Sequence, residues 1–138
     1  MKDNSLNKSD FEALAQFRYQ LRRYERLSEN IARKEGLTVL QYLLLLQIKG
    51  YPGREWVTVS ELAERLQAYH HGVVALISRC EQNELVYRTS SQADKRNVEV
   101  RLLPKGERCI AQLALQHQNE LMIQREMMMT PFLEGDQA

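Results

Sequence analysis

Almost none of the charge on this chain is in excess. Nineteen Lys and Arg stand against eighteen Asp and Glu, a net +1, so a basic footprint for nucleic acid has to be local rather than global. Cysteine is scarce. Cys80 and Cys109 are the two among 138 residues, too few for the disulfide scaffold of a small secreted domain. Met1-Lys2-Asp3-Asn4 runs directly into polar sequence rather than a secretory leader, and a reducing, cytoplasmic setting is expected. Long hydrophobic runs are missing too. The most apolar stretch, LQYLLLLQI at 40–48, falls well short of the about 20 residues that cross a bilayer, so no membrane association is expected. There is no nucleophile elbow, no glycine-rich phosphate loop and no His-Glu-x-x-His, and the chain does not read as an enzyme. His70 and His71 are adjacent, and neighbouring helical side chains point about 100° apart, so the pair does not suit one metal ion. No metal or cofactor is expected.

What is present is helical periodicity. With 43% hydrophobic and 27% charged residues, the length suits a single domain, 1–138, with its own core. Leu14, Phe17, Leu21, Tyr24, Ser28 and Ile31 recur at alternating spacings of three and four over a helix at 10–35, and Gly36 is a stop signal. Thr38-Val39-Leu40-Gln41 reads as a capping box opening a second helix to about Lys49. Gly50-Tyr51-Pro52-Gly53 breaks it. A strand-like Trp56-Val57-Thr58-Val59 follows, and Thr58-Val59-Ser60-Glu61 caps a short helix through Leu66. The next helix runs from about Tyr69 to Asn83, with Val73, Ile77 and Cys80 inward. Leu85-Val86-Tyr87-Arg88 starts a strand. After a polar loop, Val98, Val100 and Leu102 alternate inward with Glu99 and Arg101 outward. Pro104 suits the first turn of a last helix to Met129, with Thr130-Pro131 ending it.

The fold class is mostly α with a small β-hairpin, and 38–103 has the order of a winged helix-turn-helix. In such a unit the second short helix enters the major groove by its N-terminal end. His70, His71, Gly72, Val74, Ala75 and Ser78 lie on its outward face, small residues letting it sit close to the bases. Lys95 and Arg96 at the hairpin tip suit a narrow minor groove. Asp94 repels phosphate, but it can pair with a guanidinium, Arg96 or Arg88, and hold one rotamer.

GLTVLQYLLLLQI, TVSELAERL, LISRCEQNELVYR and DKRNVEVRLLPKG together resemble the MarR family of bacterial transcriptional regulators, over about residues 10–129. The resemblance implies a homodimer on a pseudo-palindromic DNA duplex, most often a ligand-responsive repressor. Its wing arginine maps onto Arg96 and its wing aspartate onto Asp94, and its groove-reading helix maps onto 69–79. Candidate DNA contacts are therefore Thr58, Ser60, Tyr69, His70, His71, Val74, Ala75, Ser78, Arg79, Arg88, Asp94, Lys95 and Arg96. The dimerisation helices map onto 10–36 and 104–129, with Leu14, Phe17, Leu21, Ile110, Leu113 and Leu121 as candidate contacts. The family's small aromatic or phenolic effectors imply a crevice bounded by the first, second and last helices. Arg18, Arg22, Tyr24, Tyr42 and His117 are its candidate liners. Packing is the competing reading for each.

Departures from the family pattern carry expectations of their own. Glu84 stands where glycine is usual after the reading helix, and Asn83 is expected to supply the left-handed residue instead. Leu103 replaces a threonine cap. The family often adds a helix after the long one, and here the sequence stops at TPFLEGDQA, which implies a shortened dimerisation region or a missing tail. Two alternatives stay open: a winged helix that contacts only protein, and a redox-responsive regulator using Cys109.

Overall fold

The computed structural model describes residues 4–91 and 97–136, with side chains through Met122. The helices are α1 (Lys8–Lys34), α2 (Val39–Lys49), α3 (Val59–Leu66), α4 (His70–Gln82) and α5 (Pro104–Asp136); the strands are β1 (Val57–Thr58), β2 (Val86–Ser90) and β3 (Val98–Leu102). The chain forms two compact units, residues 1–31 with 116–138, and residues 32–115. The second unit is wider than the expected 38–103. It takes in the first twelve residues of α5, because Ile110 and Leu113 are core residues, 1% and 0% exposed.

Local signals set most helix ends. Thr38 and Thr58 each cap a helix with a complete capping box, closed by Gln41 and Glu61, which satisfies otherwise orphaned N–H groups. Three helices end alike. Leu37 N–H bonds to the Ala32 carbonyl, Ala68 to Ala63 and Leu85 to Cys80, at 2.9–3.0 Å, the six-to-one bond that turns a chain out of a helix through a left-handed residue. That residue is Gly36 after α1, Gln67 after α3 and Glu84 after α4. The expectation for Asn83 is thus corrected. Asn83 has φ −88° and Glu84 has φ +60°, because the six-to-one bond to Leu85 demands the turn one residue later.

Leu44, Leu45, Ile48, Leu62, Val73, Ile77, Leu85, Val86 and Val100 form the core of the second unit, each at most 1% exposed. Each large side chain among them contributes roughly 1.5–3 kcal/mol through burial. The sheet order is β1-β3-β2, antiparallel throughout. Central β3 adds one detail. Glu99 takes the face opposite Val100, as the alternation implies, yet it is only 9% exposed. It pairs with Thr58 on one side and Thr89 on the other, so neighbours on both strands cover it, and Arg101 lies 3.7 Å away. The expected end of α5 at Thr130-Pro131 is corrected as well: the helix continues to Asp136. A proline forfeits one N–H and kinks a helix at a cost, without ending every helix that contains it.

Candidate nucleic-acid interface

The α3–α4 pair is built for a tight turn. Gln67 accepts φ +50°, held by its side-chain amide donating to the Glu64 carbonyl at 2.8 Å. Tyr69 then leads into α4 without a side-chain cap bond. Tyr69 is 81% exposed, and its ring stacks on His71 at 5.8 Å and 9°. His70, His71, Gly72, Ala75 and Arg79 are exposed, and Val74 and Ser78 are half-buried. The outward face of α4 is thus composed as the sequence implied. Gly72 faces open space: a Cβ there would meet nothing within 4 Å.

A cleft of about 160 Å³ runs beside this face, lined by Thr58, Val59, Ser60, His70, Val74, Arg88, Asn97 and Val98. It brings five sequence-predicted residues together: Thr58, Ser60, His70, Val74 and Arg88. Thr58 is already engaged. Its hydroxyl accepts from the Glu61 N–H at 3.2 Å and donates to Glu61 Oε1 at 2.8 Å, so its role in the chain is capping. Asp94, Lys95 and Arg96 lie outside the described residues. The hairpin they crown is in register up to Ser90 opposite Val98, and the Ser91 N–H bonds to the Asn97 carbonyl at 2.9 Å.

Sequence reasoning missed the cluster behind α3. The Arg54 guanidinium lies between two rings, 4.3 Å from the centroid of Tyr51 and 4.0 Å from that of Trp56, and it pairs with Glu61. The Tyr51 hydroxyl donates to the same carboxylate at 2.6 Å. Burial alone would raise the Glu61 pKa, but bonds from Tyr51, Thr58 and Arg54 outweigh it and hold the carboxyl down at about 2. The visible signal was an arginine flanked by aromatics in YPGREW. Asn97 and Glu81 were also missed: Glu81 Oε1 lies 2.6 Å from Arg88 Nη2.

The remaining candidates divide. In the first unit, Tyr24 sits edge-on to His117 at 6.3 Å, and His117 Nε2 hydrogen-bonds Ser28 Oγ at 2.8 Å. His117 is only 3% exposed. Arg18 and Arg22 are exposed, with Arg22 3.5 Å from Glu25. Tyr42 belongs to the second unit and is 3% exposed. Among the candidate dimer contacts, Leu14 and Leu121 are exposed and Phe17 and Leu21 half-buried. Ile110 and Leu113 are buried in the single chain, 1% and 0% exposed. Cys80 is fully buried, which pushes its thiol up to about 11. Cys109 is half-buried. Among the described residues, no helix is long and apolar enough to cross a membrane.

The MarR family's sequence model matches residues 35–97, the stretch that holds α2, α3, α4 and the first strand of the hairpin, β2. The chain belongs to the MarR family. An uncharacterised HTH-type transcriptional regulator, YsmB of Bacillus subtilis (strain 168), is 34% identical over 97 residues, 66% of this chain and 66% of its own. The chain therefore spans just under two thirds of that relative. AbsC, a MarR-family transcriptional regulator from Streptomyces coelicolor, shares the fold with a TM-score of 0.78 at 20% identity, over 88% of this chain and 82% of that one. A cysteine-to-serine mutant of MarR from E. coli, complexed with operator DNA, shares it with a TM-score of 0.68 at 20% identity, over 86% and 85%. In MarR-family terms the first departure of this chain, Glu84 for glycine, is absorbed by a strained left-handed residue.

Proposed function

We propose that this MarR-family protein is a sequence-specific DNA-binding transcriptional regulator, acting as a homodimeric repressor in the cytoplasm. The observation that carries the reading is the outward face of α4. Tyr69, His70, His71, Gly72 and Ala75 stand exposed, beside a cleft that joins α3, α4 and the hairpin. A helix with small and hydrogen-bonding side chains on an open face is what a major groove admits. The operator complex of MarR, with the same fold, supports the assignment. Lys95 and Arg96 would follow the minor groove from the hairpin tip, with Asp94 pairing a guanidinium.

Homodimerisation is supported by apolar side chains left open on the terminal helices: Leu14 is 53% exposed, Leu121 43% and Met122 69%. Two such chains would read half-sites about 10 bp apart. A small aromatic or phenolic acid is the proposed effector, with Arg18, Arg22 and Tyr24 as the residues most open to it. It would act by favouring a dimer whose reading helices are mis-spaced, lowering DNA affinity by that preference.

The deciding experiment is a salt-titrated mobility shift with purified protein and the DNA upstream of its own coding sequence. A shift that weakens steeply with salt is expected. No shift, together with no enrichment from a random duplex library, would leave a protein-contact role in its place. Arg96→Ala measured by anisotropy should weaken binding and flatten its salt dependence.

A further inference from the structure

Among the described residues Arg88 is the one arginine in the cleft, and its surroundings go further than its presence. Its register opposite Val100 places it on the same face of the sheet as buried Val57 and Val86, the face that carries the core. At the rim of that face its side chain meets α4. Arg88 Nη2 lies 2.6 Å from Glu81 Oε1 and donates to Ser78 Oγ at 3.2 Å. Ser78 donates its own proton to the Val74 carbonyl at 3.1 Å, so its oxygen is turned to accept. Both Nη2 hydrogens are thereby engaged. Nη1 and Nε make no hydrogen bond to the described residues. Nε–H shares its edge with the engaged Nη2, so Nη1 on the far side is the nitrogen left to donate to a phosphate oxygen.

We infer that Glu81 is a positioning residue: it pins Arg88 by Nη2 so that Nη1 takes a backbone phosphate of bound DNA in the cleft beside Ser60 and His70. This rests on the DNA-binding reading and adds to it a contact and the residue that aims it. The pair is about one third exposed on each side, 34% and 31%. Exposed ion pairs contribute little to stability, and the hairpin is held instead by Leu85, Val86 and Val100. The gain is in binding. An arginine already fixed in one rotamer loses less freedom when it meets its phosphate. Glu81 also offsets part of the charge, so two opposite results are possible on its removal, and the sign decides between them.

The test is a double-mutant cycle on the duplex that the wild-type protein enriches most from a random library. Arg88→Ala should weaken binding about tenfold, the loss of a charge-assisted contact, and reduce the salt slope by about one. Glu81→Ala should weaken binding several-fold, Glu81→Gln less because its amide oxygen still accepts, and neither should matter once Arg88 is alanine. Melting curves identify variants that fail to fold, and Glu81→Gln carries the test if Glu81→Ala is one of them. Tighter binding by Glu81→Ala, or an effect that persists in Arg88→Ala, would overturn the inference while leaving DNA binding intact. If the wild-type protein enriches no duplex, the DNA-binding reading itself is overturned.

Discussion

Gly106 lies against the backbone of Leu85 so closely that a Cβ at residue 106 would overlap the Leu85 carbonyl oxygen. The same oxygen accepts the Leu103 N–H at 2.9 Å. One carbonyl thus fixes the start of α5 onto the chain that leaves α4, and the helix begins without the hydroxyl cap that Leu103 cannot provide. Alanine normally favours a helix over glycine by about 1 kcal/mol. Here backbone would have to move to admit it, and overpacking costs about 1–3 kcal/mol. Gly106→Ala is expected to lower stability by about 2 kcal/mol in urea denaturation. A variant as stable as the parent would mean that the contact relaxes freely.

Gly36 and Glu84 occupy the same place in the same helix-ending turn, at φ +76° and +60°. A side chain at such a φ costs roughly 1–2 kcal/mol, partly offset because glycine loses more freedom on folding. Opposite substitutions should therefore have opposite signs. Glu84→Gly should stabilise by about 0.5–1 kcal/mol and Gly36→Ala destabilise by a similar amount. A Cβ at 36 meets no neighbour, so the second value isolates backbone strain. Thermal melts of the two variants, read side by side, check the pair.

Four of the helices were legible because each carried a local code: capping boxes at Thr38 and Thr58, a glycine at 36, a proline at 104. The winged order followed from them. What stayed hidden depended on partners distant in sequence. Glu99 reads as an outward residue in any alternating strand, and only the pairing of β1 on the far side of β3 encloses it. Ile110 and Leu113 lie on a helix whose first turns pack in one unit while the rest belongs to another, a division with no compositional mark. In the candidate interface, the face of α4 was readable from helical spacing. The Glu81–Arg88 bond was not, because it joins a helix to a strand across a turn. Glu84 was misread for a related reason: residue preference pointed to Asn83, and the hydrogen bond from Leu85 decided otherwise.

Glu61 gives the second unit a definite acid dependence. Its carboxyl is held at about 2 in the folded chain, against about 4.3 for an unperturbed glutamate. A depressed carboxylate stabilises the fold above the unfolded value and loses that contribution as pH falls through the folded one. The loss should therefore fall between about pH 5 and 2. Glu61→Gln should destabilise the protein at neutral pH, because Arg54 keeps its rings but loses its counter-charge. The same variant should show a shallower decline across that window. Denaturation midpoints at stepped pH distinguish the two slopes; parallel curves would mean that Glu61 does not titrate as a bonded group.

Gly72 presents a cost without an internal return. It sits inside α4, where glycine is about 1 kcal/mol less favourable than alanine, and no neighbour within the chain needs the missing Cβ. If the space is kept for a DNA surface, stability and binding should move in opposite directions. Gly72→Ala should raise the melting stability by about 0.5–1 kcal/mol. It should weaken binding to the selected duplex, and Gly72→Leu should weaken it further, since bulk at the close-approach point pushes the helix out of the groove. Anisotropy on all three proteins, alongside their melts, provides the check. Stabilisation with undiminished affinity would remove Gly72 from the interface and leave its presence unexplained by either the fold or the groove.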